Sequence, residues 1–188
     1  MPEARVELDQ VPQTPPHVEM RLLSQPRYLC GARDAVSSIA RRFGFDEQTS
    51  GQLALAVDEA LCNIIRHGYN DAPDKPVWLR IWPLIETECV GTPGGIRIVI
   101  EDEARQVDPE KIKSRDLAEI RPGGLGVHII KQIMTAARFE KREGPQGGMR
   151  LIMSKKLEPK PDTTSSTTSS PPTASTSERQ PALVKGKG

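Results

Sequence analysis

The chain has 188 residues, and its 26 basic side chains against 25 acidic ones leave a formal charge of +1. That length suits one ordinary hydrophobic core, and the balanced charge provides no overall field to draw the protein onto nucleic acid or an anionic membrane. No apolar run approaches the roughly 18 residues a membrane span needs, and Met1 to Gln10 carries acidic residues where a signal peptide has an apolar core. A cytoplasmic protein with no membrane contact is therefore expected. Cys30, Cys62 and Cys89 are odd in number and widely spaced, a pattern of free thiols and not of a disulfide framework or a zinc site.

Residues 1–16 contain Pro2, Pro12, Pro15 and Pro16 and read as a flexible leader, because proline has no amide donor and blocks regular pairing. Val18, Met20 and Leu22 alternate with polar neighbours as in a half-buried strand, and Pro26 opens a helix from Arg27 to about Arg42 that Gly44 ends. Asp46 can cap a second helix, in which Leu53, Val57, Leu61, Ile64 and Ile65 recur at helical spacing before Gly68 closes it. Two strands follow, near Val77 to Ile85 and Ile96 to Ile100, joined by a turn around Gly91 to Gly95. After a long connection, Gly124 to Gly126 lead into an apolar helix with Val127, Ile130, Ile133 and Met134. Strands near Arg138 to Arg142 and Met149 to Lys156 end the patterned region.

Runs of strands separated by helices predict an α+β two-layer sandwich over residues 17–157, with a mixed, mostly antiparallel sheet and helices packed on one face. From residue 158 to 188 the chain is Ser, Thr and Pro with few apolar residues, too few to offset the entropy of ordering it, so a disordered tail is expected there.

Within the second helix Glu59, Asn63 and His67 stand at i, i+4 and i+8 and form one polar stripe beside the apolar face. An amide oxygen suits a hard cation such as magnesium, and a carboxylate beside it can orient a hydroxyl for phosphoryl transfer. The same spacing also occurs on solvated helix faces. Asp102 follows the apolar run Ile98, Val99 and Ile100, where a carboxylate can accept a hydrogen bond from an adenine amino group or serve as an ordinary turn aspartate. Gly123, Gly124 and Gly126 precede a helix, where small residues let backbone amides approach phosphate oxygens; a plain turn after the 108–122 connection uses glycine equally well. That connection also has the length of a nucleotide lid.

The order of these features resembles the GHKL-type ATPases. More narrowly, EALCNIIRHGY at 59–69, DEARQVDP at 102–109 and GGLGVHIIKQIMTAARF at 123–139 resemble the anti-sigma-factor serine kinases, over roughly residues 17–157. The resemblance implies the histidine-kinase-like ATPase fold, ATP and Mg2+ as ligands, Glu59 as the base that polarises an acceptor serine and Asn63 as a magnesium ligand. It implies Asp102 as the reader of adenine, Gly123, Gly124, Leu125 and Gly126 beside the triphosphate, and the segment from Arg105 to Pro122 as the lid. His67 matches the motif with no implied chemistry. The implied activity is regulatory: a serine on a small antagonist protein is phosphorylated, and a sigma factor or similar client is sequestered. A homodimer paired through the first strand and helix is compatible with this.

One departure stands out, Ala104, where the superfamily's adenine motif usually has glycine. If the position needs positive φ, alanine costs about 1 kcal/mol or more. Ala104 therefore keeps a second reading in play, a non-catalytic ATP-binding or partner-binding switch module. A sensor histidine kinase would need a helical hairpin with a phosphoacceptor histidine, which the residues before His17 do not provide. A nucleic-acid binder would need a basic aromatic strip, and none is present.

Overall fold

The structure is a computed structural model that describes residues 8–85, 93–112 and 125–158. Residues 1–7 of the expected leader, residues 159–188 of the expected tail, Cys89, Gly123, Gly124, residues 113–122 of the expected lid and residues 86–92 before and within the expected turn lie outside the described residues.

Among the described residues five strands form one sheet: β1 (Val18–Leu23), β2 (Pro76–Ile85), β3 (Pro93–Asp102), β4 (Ala136–Lys141) and β5 (Met149–Lys156). Their order is β1-β2-β3-β5-β4, and every pairing is antiparallel, so the mixed character expected of the sheet is absent among the described strands. The α-helices of the described residues, α1 (Leu29–Arg42), α2 (Glu47–Asn63) and α3 (Leu125–Ile133), pack on one face, giving the α+β two-layer sandwich.

Strand alternation divides the side chains between two environments. Leu79, Ile81, Ile98, Ile100, Leu151 and Met153 face the helices and meet Val36, Leu53, Val57, Leu61 and Ile130 in one core. Each fully buried aliphatic side chain contributes about 1.5 to 3 kcal/mol relative to exposure. The Asp46 carboxylate caps α2 by accepting from the Thr49 amide at 2.7 Å, which also draws its pKa down.

The other face carries Trp82, Val99 and Ile152, with Val11 against them. Residues 8–16, read from sequence as a flexible leader, form no helix or strand but lie across this face. The Leu8 carbonyl accepts from Ser154 Oγ at 2.6 Å, and the Thr14 carbonyl accepts from Trp82 Nε1 at 2.9 Å. The prolines prevent regular pairing but leave carbonyls free to accept.

On the same face Glu101, only 4% exposed, is gripped by Arg80 and Arg150, each at 2.5 Å. Burial pushes its carboxyl up, yet the hydrogen bonds from Arg150 and Arg80 outweigh that effect and hold it below the usual value.

A departure from the predicted second helix occurs at its end. The α-helical register stops at Asn63, and Ile64–Gly68 form a π-helical turn, with the Tyr69 amide donating to the Ile64 carbonyl at 2.8 Å. Asn70 and Asp71 then take positive φ, 50° and 61°, a conformation their short polar side chains tolerate. Together these bring Tyr69 into the core at 8% exposure.

Candidate functional site

A cavity of about 330 Å³ opens between the end of α2, the C-terminal end of β3 and the start of α3. Ile100, Ala104, Phe139, Met149 and Leu151 are among its apolar lining residues, while Asn63, His67, Asp102, Arg105 and Arg150 are the polar ones. A largely apolar recess with a few polar groups suits a flat heteroaromatic base.

Asp102 ends β3 and is 4% exposed. Its Oδ1 accepts from the Ala104 amide at 2.7 Å and the Met149 amide at 3.1 Å, and its carbonyl accepts from Arg142 at 2.6 Å. Burial raises the carboxyl's pKa, partly offset by the two amides. With Oδ1 committed to the backbone, the carboxylate is fixed in orientation, and no bond to Oδ2 occurs among the described residues. Gly148 makes the approach possible: it has φ of 101°, and a Cβ there would stand 1.9 Å from the Asp102 carbonyl oxygen. Sequence reasoning missed this support, although a glycine pair at 147–148 signals a turn.

Glu59 and Asn63 project from α2 toward the opening of α3. A Cβ on Gly126 would come 2.5 Å from Glu59 Oε2 and 3.1 Å from Asn63 Nδ2, so glycine is what lets α3 seat there. Asn63 borders both this junction and the cavity, whereas Glu59 borders the junction and stands outside the cavity lining. Leu125, expected beside the phosphates, is 57% exposed at the start of α3. His67, on the π-helical turn, is exposed and lines the cavity.

Asn70 and Asp71 are the non-glycine residues at positive φ among those described, so Ala104 sits in ordinary backbone. The strain that a left-handed alanine would carry is absent. Its methyl packs against the π-helical turn instead, 3.0 Å from where a Cβ on Gly68 would stand.

Of the residues expected to hold a nucleotide, Asn63, Asp102 and Ala104 thus line one cavity, and Glu59 and Gly126 meet beside it. Phe139, Met149 and Val107 also line it; the sequence reading assigned the first two to strands and the third to the expected lid, none of them to the nucleotide pocket. Among the described residues no three carboxylate, imidazole or thiol groups converge as a metal site. A cation here would take few protein ligands, which fits magnesium, an ion that keeps most of its shell from phosphates and water.

Residues 22–155 match the family model described as a histidine kinase-like ATPase domain. The chain is 29% identical over 147 residues to the serine-protein kinase RsbW of Oceanobacillus iheyensis, covering 74% of this chain and 85% of that one. It is 25% identical over 137 residues to the serine-protein kinase RsbW of Bacillus subtilis, covering 68% and 80%. Among solved structures it is similar in fold to a chain in the crystal structure of the SiaB–SiaC complex from Pseudomonas aeruginosa, with a TM-score of 0.52, 9% identity and coverage of 74% and 89%. The resemblance drawn from the three sequence segments is borne out over residues 22–155, and the chain belongs to the histidine kinase-like ATPase domain family.

Proposed function

We propose that the chain is an ATP-dependent serine-protein kinase of the anti-sigma-factor type. The observation that carries this is the junction of Glu59 and Asn63 with Gly126 beside a cavity that the fixed carboxylate of Asp102 also lines. The serine-kinase names of the relatives support the same reading.

Asp102 accepts a hydrogen bond from the adenine amino group, while the apolar lining of Ile100, Phe139 and Leu151 takes the ring. Gly123, Gly124, Leu125 and Gly126 lead the triphosphate onto the amino-terminal end of α3, where free amides and the helix dipole favour negative charge. Asn63 holds Mg2+, which when bound supplies charge neutralisation at the phosphates. Glu59 accepts the acceptor serine's proton and orients its oxygen toward the terminal phosphate. The segment from Arg105 to Pro122 closes over the nucleotide as the lid.

The acceptor is a serine on a small antagonist protein, and the client that is held is a sigma factor or a similar regulator. Two copies pair through the first strand and helix; β1 stands at a sheet edge, which supports this. The protein works in the cytoplasm; no helix among the described residues is long and apolar enough to cross a membrane. Residues 17–157 form the ATPase domain, and residues 158–188 a tail outside it.

The alternative of a non-catalytic switch rested on backbone strain at Ala104, which the backbone does not show. Incubation with labelled ATP, Mg2+ and candidate antagonist proteins tests the proposal. Transfer to an antagonist serine is expected; nucleotide binding without transfer to any of them favours the switch.

A further inference from the structure

Tyr69 belongs to the segment that carries the polar stripe, yet it does not line the cavity and has no part in the chemistry above. Its hydroxyl nevertheless joins two elements that build the site. It donates to the Pro76 carbonyl at 2.7 Å and accepts from the Glu103 amide at 2.6 Å. Glu103 is the residue between Asp102 and Ala104, so this bond ties the β3 exit to the end of the π-helical turn. The ring is buried, and burial pushes the phenol up to about 12, so the hydroxyl keeps its proton and its donor role across the physiological range.

The π-helical turn explains why a tyrosine reaches this point. Its i to i+5 bond, Tyr69 amide to Ile64 carbonyl, adds a residue to the last turn of the helix. His67 on the same turn stays exposed at the cavity, while Tyr69 is carried beneath it.

We infer that Tyr69 is a positioning residue for nucleotide-base recognition: its hydroxyl holds the Asp102–Ala104 segment at the height from which Asp102 meets the amino group of an adenine. This rests on the ATP reading proposed above. It concerns discrimination between bases, not the chemistry of transfer. Asp102 is held through its side chain by Ala104 and Met149 and through its carbonyl by Arg142. Of the bonds at this segment, the one made by Tyr69 connects it to the helix that carries Glu59 and Asn63.

The test compares the full chain with Tyr69→Phe, using equilibrium binding of ATP and of purine riboside triphosphate, which lacks the 6-amino group. Wild type is expected to prefer ATP. Tyr69→Phe is expected to lose about three- to tenfold in ATP affinity, the size of a net hydrogen bond, with affinity for the analogue nearly unchanged. Equal losses for both ligands assign Tyr69 to stability alone and overturn the inference, as does full retention of the preference. Wild type that binds neither ligand overturns the ATP reading itself, a distinct outcome.

If Tyr69→Phe does not fold, 19F NMR of the fluorotyrosine-labelled full chain decides. The sequence has two tyrosines, and Tyr28, 41% exposed, is assigned by Tyr28→Phe. The Tyr69 resonance is expected to move on adding ATP and to move less with the analogue; a resonance that ATP leaves in place, or that both ligands move equally, overturns the inference.

Discussion

Gly126 and Glu59 are in contact across the α2–α3 junction, so closely that a Cβ on Gly126 would stand 2.5 Å from Glu59 Oε2. The obstructed atom is the end of a flexible side chain, so the backbone has no need to move. Gly126→Ala is therefore expected to leave the thermal midpoint within a few degrees of wild type while turning Glu59 and Asn63 aside. Phosphoryl transfer should fall by about tenfold or more, as a misplaced catalytic group does. Single-turnover transfer alongside thermal unfolding separates the two effects; unchanged transfer would show that Glu59 does not act from this position.

Asp102 is buried with its carboxyl pKa raised, first by desolvation. Asp102→Asn keeps an oxygen for the Ala104 and Met149 amides but turns a donor toward the adenine amino group. ATP affinity should fall by roughly 10- to 100-fold, the size of a charge-assisted hydrogen bond, with stability at neutral pH unchanged or higher. The sign follows from the shift: the folded carboxyl is raised above about 3.9, so its ionisation costs stability as pH rises through the folded value. Falling pH restores that stability and weakens ATP binding over the same interval. Titrating ATP into wild type across the acid range reads this, and a midpoint at or below the ordinary aspartate value would refute it.

Gly68 and Ala104 form a pair in which one methyl fills the space of two. A Cβ on Gly68 would lie 3.0 Å from Ala104 Cβ, tighter than ordinary packing, so Gly68→Ala should destabilise by about 1 to 3 kcal/mol. Combining it with Ala104→Gly should recover about 0.5 kcal/mol or more beyond additivity, the signature of residues in contact. Denaturant unfolding of the four proteins in the cycle measures the coupling, and strict additivity would argue against the contact.

Glu101 links three arginines on the sheet's outer face, at 2.5 Å from Arg80 and Arg150 and 3.7 Å from Arg142. Glu101→Gln leaves them without their buried partner and should cost about 2 to 4 kcal/mol, toward the lower end because the arginines are partly solvated. Its carboxyl is held below the ordinary value of about 4.3, so its contribution is complete above that value and is lost as pH falls through the depressed folded one. The stability gap between wild type and Glu101→Gln should therefore close in strong acid. A gap that persists there would place the effect elsewhere.

Most of the architecture was legible because the periodicities are clean: Leu53, Val57 and Leu61 repeat at helical spacing, and Val77, Leu79 and Ile81 alternate as a strand with one face on the core. The polar stripe and Asp102 were legible as residues, and as one site only through the family resemblance, since it is tertiary packing that brings Gly126 onto Glu59 and the turn before β5 onto Asp102. The π-helical turn at Ile64–Gly68 left no trace in the pattern, because one added residue in a helix's last turn is invisible to a 3.6-residue period. The expectation of strain at Ala104 depended on a dihedral angle that sequence does not encode. Nor does composition show that a proline-rich segment will lie against Trp82 and Ser154 through its carbonyls.

The proposed kinase divides binding and transfer between Asp102 and Glu59 within one site. Glu59→Ala tests this division most directly, assayed for ATP binding and for transfer of the terminal phosphate to an antagonist serine in the same preparation. ATP affinity close to that of wild type is expected, with transfer reduced by about 100-fold or more, as for loss of a general base. Transfer at the wild-type rate by Glu59→Ala would contradict it.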